Sequence, residues 1–123
     1  MREHDLQVQI ITWCRYNQGK YPQLKLIYAI PNQAKRSFAL ANYLKAEGMA
    51  TGVPDLAIPA PNKTFSALYI ELKIGKNKPT PKQLEWHKML REYGNCVFVS
   101  YNFDDTIDII KNYLNNNIKK SYV

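Results

Sequence analysis

The chain has 123 residues, 46% of them hydrophobic, which suits a single domain with its own core. Seventeen Lys and Arg against ten Asp and Glu leave a net charge of +7, which favours polyanionic partners, nucleic acid first among them. No apolar run approaches the ~20 residues of a membrane span, Met1-Arg-Glu-His-Asp5 has no signal-peptide core, and the isolated Cys14 and Cys96 point to reduced thiols in a cytoplasmic protein without structural zinc.

In chain order, Glu3 to about Asn17 is predicted helical, because Leu6, Ile10, Trp13 and Cys14 recur at helical spacing. Gly19 and Pro22 break that pattern. Glu3 sits in the first turn, where the helix dipole favours a carboxylate; a functional role is the alternative. Leu24 to Ile30 fits a short strand stopped by Pro31, and Asn32-Gln33 form a turn. Ala34 to Glu47 is predicted helical through Phe38, Leu40, Tyr43 and Leu44, with Gly48 just beyond its C-terminus. Lys35 and Arg36 fall in its first turn, where the dipole disfavours cations. A phosphate contact is one explanation of them, and a solvated basic turn is the other.

Two strands follow, Gly52 to Pro59 and Ala67 to Gly75, joined by the turn-rich Ala60-Pro-Asn-Lys-Thr-Phe-Ser66. In the second, Leu68, Ile70, Leu72 and Ile74 alternate with Tyr69, Glu71 and Lys73, the pattern of a half-buried strand. A hairpin symmetric about Lys63 sets Asp55 opposite Glu71; a slip of one residue would turn Asp55 to the other face. The basic connection Gly75-Lys-Asn-Lys-Pro-Thr-Pro81 leads to a helix over Thr80 to Tyr93. Thr80 suits its N-cap, Pro81 its first position, and Gln83 completes a capping box. Leu84, His87 and Leu90 supply its apolar face, and Gly94 ends it. Cys96 to Tyr101 is β-rich. A last helix, capped by Asn102 or Asp104, carries Ile107, Ile110, Tyr113 and Leu114. Asn115 to Val123 is polar and basic and is expected to fray. The order αβαββαβα describes an α/β sandwich with a mixed sheet of about four strands. Residues 1–117 would form one domain and 118–123 a basic tail.

Chemistry concentrates in three residues. Like charges facing each other on paired strands are destabilising, and a divalent cation between Asp55 and Glu71 would reverse that cost. Lys73 lies one strand repeat beyond Glu71 on the same face and could orient or deprotonate an attacking water, or neutralise transition-state charge. The Leu72 carbonyl lies between them and could serve as a further oxygen ligand. Taken alone, Glu-x-Lys on a strand is usually a solvated face, and Asp55 after Pro54 could be a turn acid.

Gly52-Val-Pro-Asp55, Glu71-Leu-Lys73, Gln83 followed by Trp86, and then Leu90 and Gly94 together resemble a stand-alone VRR-Nuc domain of the PD-(D/E)XK nuclease superfamily. The resemblance runs from Glu3 to about Leu114. It implies a restriction-endonuclease-like α/β sandwich and a Mg²⁺- or Mn²⁺-dependent endonuclease. Asp55 and Glu71 would then be metal ligands, Lys73 the catalytic lysine and Gln83 a catalytic-site glutamine, a role that competes with its capping role. Glu3 would complete the metal site, indirectly or at a second position. Asn32 resembles a polar position near the site, with Lys35, Arg36, Lys76, Lys78 and Lys82 as candidate DNA contacts. Small members of this type imply branched DNA, such as four-way junctions, as substrate. They also imply a homodimer and a bacterial or phage-infected cytoplasm, with no membrane and no small-molecule cofactor. A non-cleaving nucleic-acid-binding module, a nuclease acting on RNA and an assembly protein are the alternatives.

Overall fold

The computed structural model describes residues 1–32 and 37–119. Within them the chain forms α1 (Glu3–Tyr16), a 3-10 turn (Pro22–Leu26), β1 (Tyr28–Ala29), α2 (Phe38–Ala46), β2 (Leu56–Ile58), β3 (Leu68–Leu72), α3 (Pro81–Glu92), β4 (Cys96–Ser100) and α4 (Phe103–Leu114). The sheet runs β1-β2-β3-β4. β1 and β3 each pair antiparallel with β2, and β4 joins β3 in parallel. A parallel neighbour requires a crossover, and α3 supplies it. This is the αβαββαβα mixed-sheet sandwich that the sequence predicts. None of the described helices is long and apolar enough to cross a membrane.

The core lies on one face of the sheet. Leu6, Ile10 and Cys14 on α1 meet Ile107, Ile110 and Tyr113 on α4 over Leu56, Ile58, Leu68, Ile70 and Leu72. The four-residue spacing on α1 is the reason those three side chains are buried together. Each fully buried Leu or Ile contributes about 1.5–3 kcal/mol. Trp13 packs beside this layer with Lys111 above its ring, 5.8 Å from the centroid. Both cysteines are free and buried.

Four expectations are corrected. Leu24 to Ile30 is mostly not a strand: Pro22 starts a 3-10 turn, whose tight winding suits a fixed φ, and only Tyr28 and Ala29 pair. α2 begins at Phe38, where the Ser37 hydroxyl caps the Leu40 N–H. The earlier part of the predicted helix, with Lys35 and Arg36, lies outside the described residues. None of α2's residues is buried, and Phe38 is 84% exposed, so its apolar pattern does not serve the core. Nor does the chain simply fray after Leu114. Asn116, at φ +59, accepts the Lys63 N–H at 2.7 Å, and Ile118 is buried in the core. The fourth correction concerns β3, whose polar face is covered rather than solvated: Glu71 is 1% exposed and Lys73 8%.

Candidate active site

The hairpin register decides where the carboxylates meet. Leu56 pairs with Ile70 and Ile58 with Leu68, so the next position outward sets Asp55 against Glu71, as symmetry about Lys63 predicts. Beyond β2 the chain bends. The Asp55 N–H donates to the Ile70 carbonyl at 3.1 Å, and the Asp55 carbonyl accepts from the Ile30 N–H at 2.9 Å. The Asp55 side chain then continues the ladder in place of backbone: its Oδ2 accepts the Leu72 N–H at 2.6 Å. The Lys73 N–H donates the other way, to the Ser100 carbonyl of β4. Alternate residues of a strand present their backbone groups to opposite edges. The Leu72 carbonyl therefore points to the Asp55 edge, as a further oxygen ligand there would require.

Gly52 explains how this loop comes so close to α3. Its φ is +90, and a Cβ there would lie 2.9 Å from the backbone carbon and oxygen of Lys82. Any side chain would force apart the loop that carries Asp55 and the first turn that carries Gln83.

Above the sheet, α3 covers the polar face of β3. Thr80 and Gln83 form the capping box, and the Gln83 Oε1 accepts the Thr80 N–H at 2.9 Å. The same amide donates from Nε2 to the Glu71 Oε2 at 3.1 Å. Capping and the contact with Glu71 therefore do not compete; one amide makes both, one end each. Four residues on, the His87 Nε2 lies 3.3 Å from the Glu71 Oε1. His87 is 1% exposed. The sequence reading placed His87 on an apolar face and gave Arg91 no role. The signal that could have found them is Gln83, His87 and Arg91 at helical i, i+4, i+8 spacing, three polar residues on the face that meets the sheet.

The electrostatics are those of a buried acid pair. Burial pushes Asp55 up to about 7, and the neighbouring Glu71 charge adds to the rise; the Leu72 N–H and Lys73 oppose it. Burial likewise pushes Glu71 up to about 7, against Asp55's hydrogen bond and Lys73's charge, with Glu3 adding a smaller rise. The two acids titrate as a coupled pair, both displaced upward. His87 is held below its ordinary value by burial first and then by the Arg91 charge.

Of the predicted site residues, Asp55, Glu71, Leu72, Lys73 and Gln83 are gathered at one place, and Glu3, in the first turn of α1, is within electrostatic reach. Asn32 is half-buried two residues past Ile30. Lys76, Lys78 and Lys82 are exposed on the connection from β3 and the first turn of α3. Lys35 and Arg36 lie outside the described residues. A cleft of about 740 Å³ opens at the ends of β3 and β4, lined by Met1, Gln9, Lys76, Tyr101 and Asp104 among others; the carboxylates themselves do not line it. Among the described residues, no group of three or more His, Cys, Asp and Glu encloses a single point. Two carboxylates and a carbonyl instead match Mg²⁺ or Mn²⁺, which take one or two carboxylates and leave the remaining positions to water and phosphate.

A mixed sheet with a carboxylate pair and a lysine at the end of its central hairpin is the architecture of an α/β nuclease domain. The family profile of the VRR-NUC domain matches residues 1–102, and the chain belongs to that family. A solved structure of a VRR_NUC domain protein is similar over 94% of this chain and 89% of its own, with 28% identity and a TM-score of 0.80. No curated protein matches the chain. Membership brings a nuclease-family domain, and with it nucleic acid as the expected substrate class.

Proposed function

We propose that the protein is a divalent-metal-dependent DNA endonuclease that hydrolyses phosphodiester bonds and prefers branched DNA such as four-way junctions. The observation that carries this reading is the buried Asp55–Glu71 pair beside Lys73. Two facing acids pushed up to about 7 are a standing cost to the fold, and a hard cation offsets it. Mg²⁺ or Mn²⁺ bound there would polarise a phosphoryl oxygen and lower the pKa of water. Asp55, Glu71 and the Leu72 carbonyl supply the oxygen donors. Gln83 holds the plane of the Glu71 carboxylate through Oε2. Lys73, almost wholly buried, brings a cation next to charge that builds on the attacked phosphate. Exposed Lys76, Lys78 and Lys82 offer flanking phosphates a grip.

The test is purified protein with Mg²⁺ or Mn²⁺ on labelled linear, flap and four-way DNA and on matched RNA, with and without EDTA. Cleavage strongest on branched DNA and abolished by EDTA is expected. Binding without cleavage by the unmutated protein would favour the non-cleaving alternative, and preferential RNA cutting the ribonuclease one. Sizing the same sample tests the homodimer.

A further inference from the structure

Two buried polar atoms lack a hydrogen-bond partner among the described residues: the His87 Nδ1 and the Arg91 Nε. They lie four residues apart on the same helix, so their side chains are neighbours. Their chemistry is complementary, because the Arg Nε–H can only donate and a neutral imidazole nitrogen can accept. One other nitrogen of each residue is already committed. The Arg91 Nη2 donates to the Val97 carbonyl at 2.8 Å, which anchors the guanidinium on β4. The His87 Nε2 faces the Glu71 Oε1. With Glu71 ionised, as a metal ligand would be, its carboxylate only accepts, so a neutral His87 carries its proton on Nε2 and its lone pair on Nδ1.

We infer that His87 is a positioning residue for Glu71, held by Arg91 in its Nε2–H tautomer, with the Arg91 Nε–H serving Nδ1 directly or across one water. The Glu71 carboxylate is then fixed at both oxygens from one helix face, by Gln83 at Oε2 and His87 at Oε1. Carboxylates that bind metal are commonly oriented by such outer partners, whose loss costs 10- to 100-fold in metal affinity. This inference rests on the metal-site reading above.

The test separates the two. The chain has two histidines, and His4 is exposed, so long-range ¹H–¹⁵N spectra of histidine-labelled protein at pH 7.5 resolve His87 without metal. The expected pattern is the Nε2–H tautomer; an Nδ1–H tautomer overturns the inference. Arg91→Lys keeps the charge but has no Nε, and mixed tautomers are expected. An unchanged spectrum removes Arg91 from the arrangement. Mn²⁺ titration by calorimetry then reads positioning. His87→Leu should bind about 10- to 100-fold more weakly, with its circular dichroism unchanged. His87→Gln, whose amide N–H reaches the same oxygen, should recover most of that loss. Equal affinity in the Leu variant, or no recovery in the Gln variant, overturns the positioning role. Unmutated protein that binds no Mn²⁺ overturns the metal reading and positioning together, while the spectrum still decides the tautomer.

Discussion

Leu72 and Glu71 are adjacent on β3, and each is 1% exposed, yet they are buried by different means. Leu72 enters an apolar layer between the sheet and α1 and α4, where burial is itself the stabilising term. Glu71 enters a polar layer under α3, where burial costs free energy and each oxygen has its own partner on the helix. The apolar face therefore reads as built for stability. The polar face carries a cost to the fold, and local conflict with the folding rules often marks a functional site.

Substitutions on the two faces should separate these roles. The largest effect is expected from Glu71→Gln: cleavage should fall by about 10³-fold or more, the scale of several kcal/mol of lost metal-assisted stabilisation. Its thermal stability without metal should be unchanged or higher, because a buried charge has been removed. Lys73→Ala should slow cleavage by about 10²-fold while Mn²⁺ affinity, read by calorimetry, changes little; a matching loss of metal would make Lys73 structural. On the opposite face, Ile70→Ala should cost about 2–5 kcal/mol in denaturant unfolding and leave cleavage by the folded fraction near normal.

The contrast also has a pH signature. Carboxyls raised in the folded state hold protons that the unfolded chain has released. Their contribution to stability therefore falls as pH rises from the ordinary range near ~4 to about 7. His87, lowered in the folded state, works the other way, but only below its ordinary value of about 6.5. The melting temperature of EDTA-treated protein should accordingly rise when pH is lowered from ~8 to ~6.5, the window in which the acid pair dominates. Asp55→Asn should flatten that slope, and Mg²⁺ should lift the high-pH end. The smallest effect is expected from Glu3→Gln: about 0.3–1 kcal/mol of stability from the helix dipole, and a change in Mn²⁺ affinity well below that of Glu71→Gln.

The hairpin and its register were readable in the sequence, because two alternating runs and a turn-rich loop between them leave few pairings. The capping box at Thr80 and the cap at Asn102 were equally local signals. What was not readable depends on tertiary cover. Alternation says that Tyr69, Glu71 and Lys73 share a face; it does not say that a helix closes over them. The same gap hid the contact between His87 and Glu71, since the spacing of His87 fits an apolar stripe as well as a polar one. In α2 the pattern gave the helix but not its exposure: Phe38, Leu40 and Tyr43 mark the helical period and lie exposed. Ile118 was misread because the polar residues around it outweighed one buried isoleucine and the left-handed Asn116 that redirects the chain.

The turn that joins β2 to β3 is tied down from far away in the chain. The Tyr113 hydroxyl donates to the Ala60 carbonyl at 2.7 Å, and the Asn62 side chain donates to the Tyr113 carbonyl at 2.9 Å, contacts 53 and 51 residues apart in sequence. Contacts of such separation form late, because a long loop must close first. During synthesis, Asp55, Glu71, Lys73 and Gln83 all emerge before the helix that clamps their hairpin. A nascent chain stopped short of Tyr113 would carry all four of these residues on a hairpin whose turn lacks both ties, and α4 is the element that supplies them.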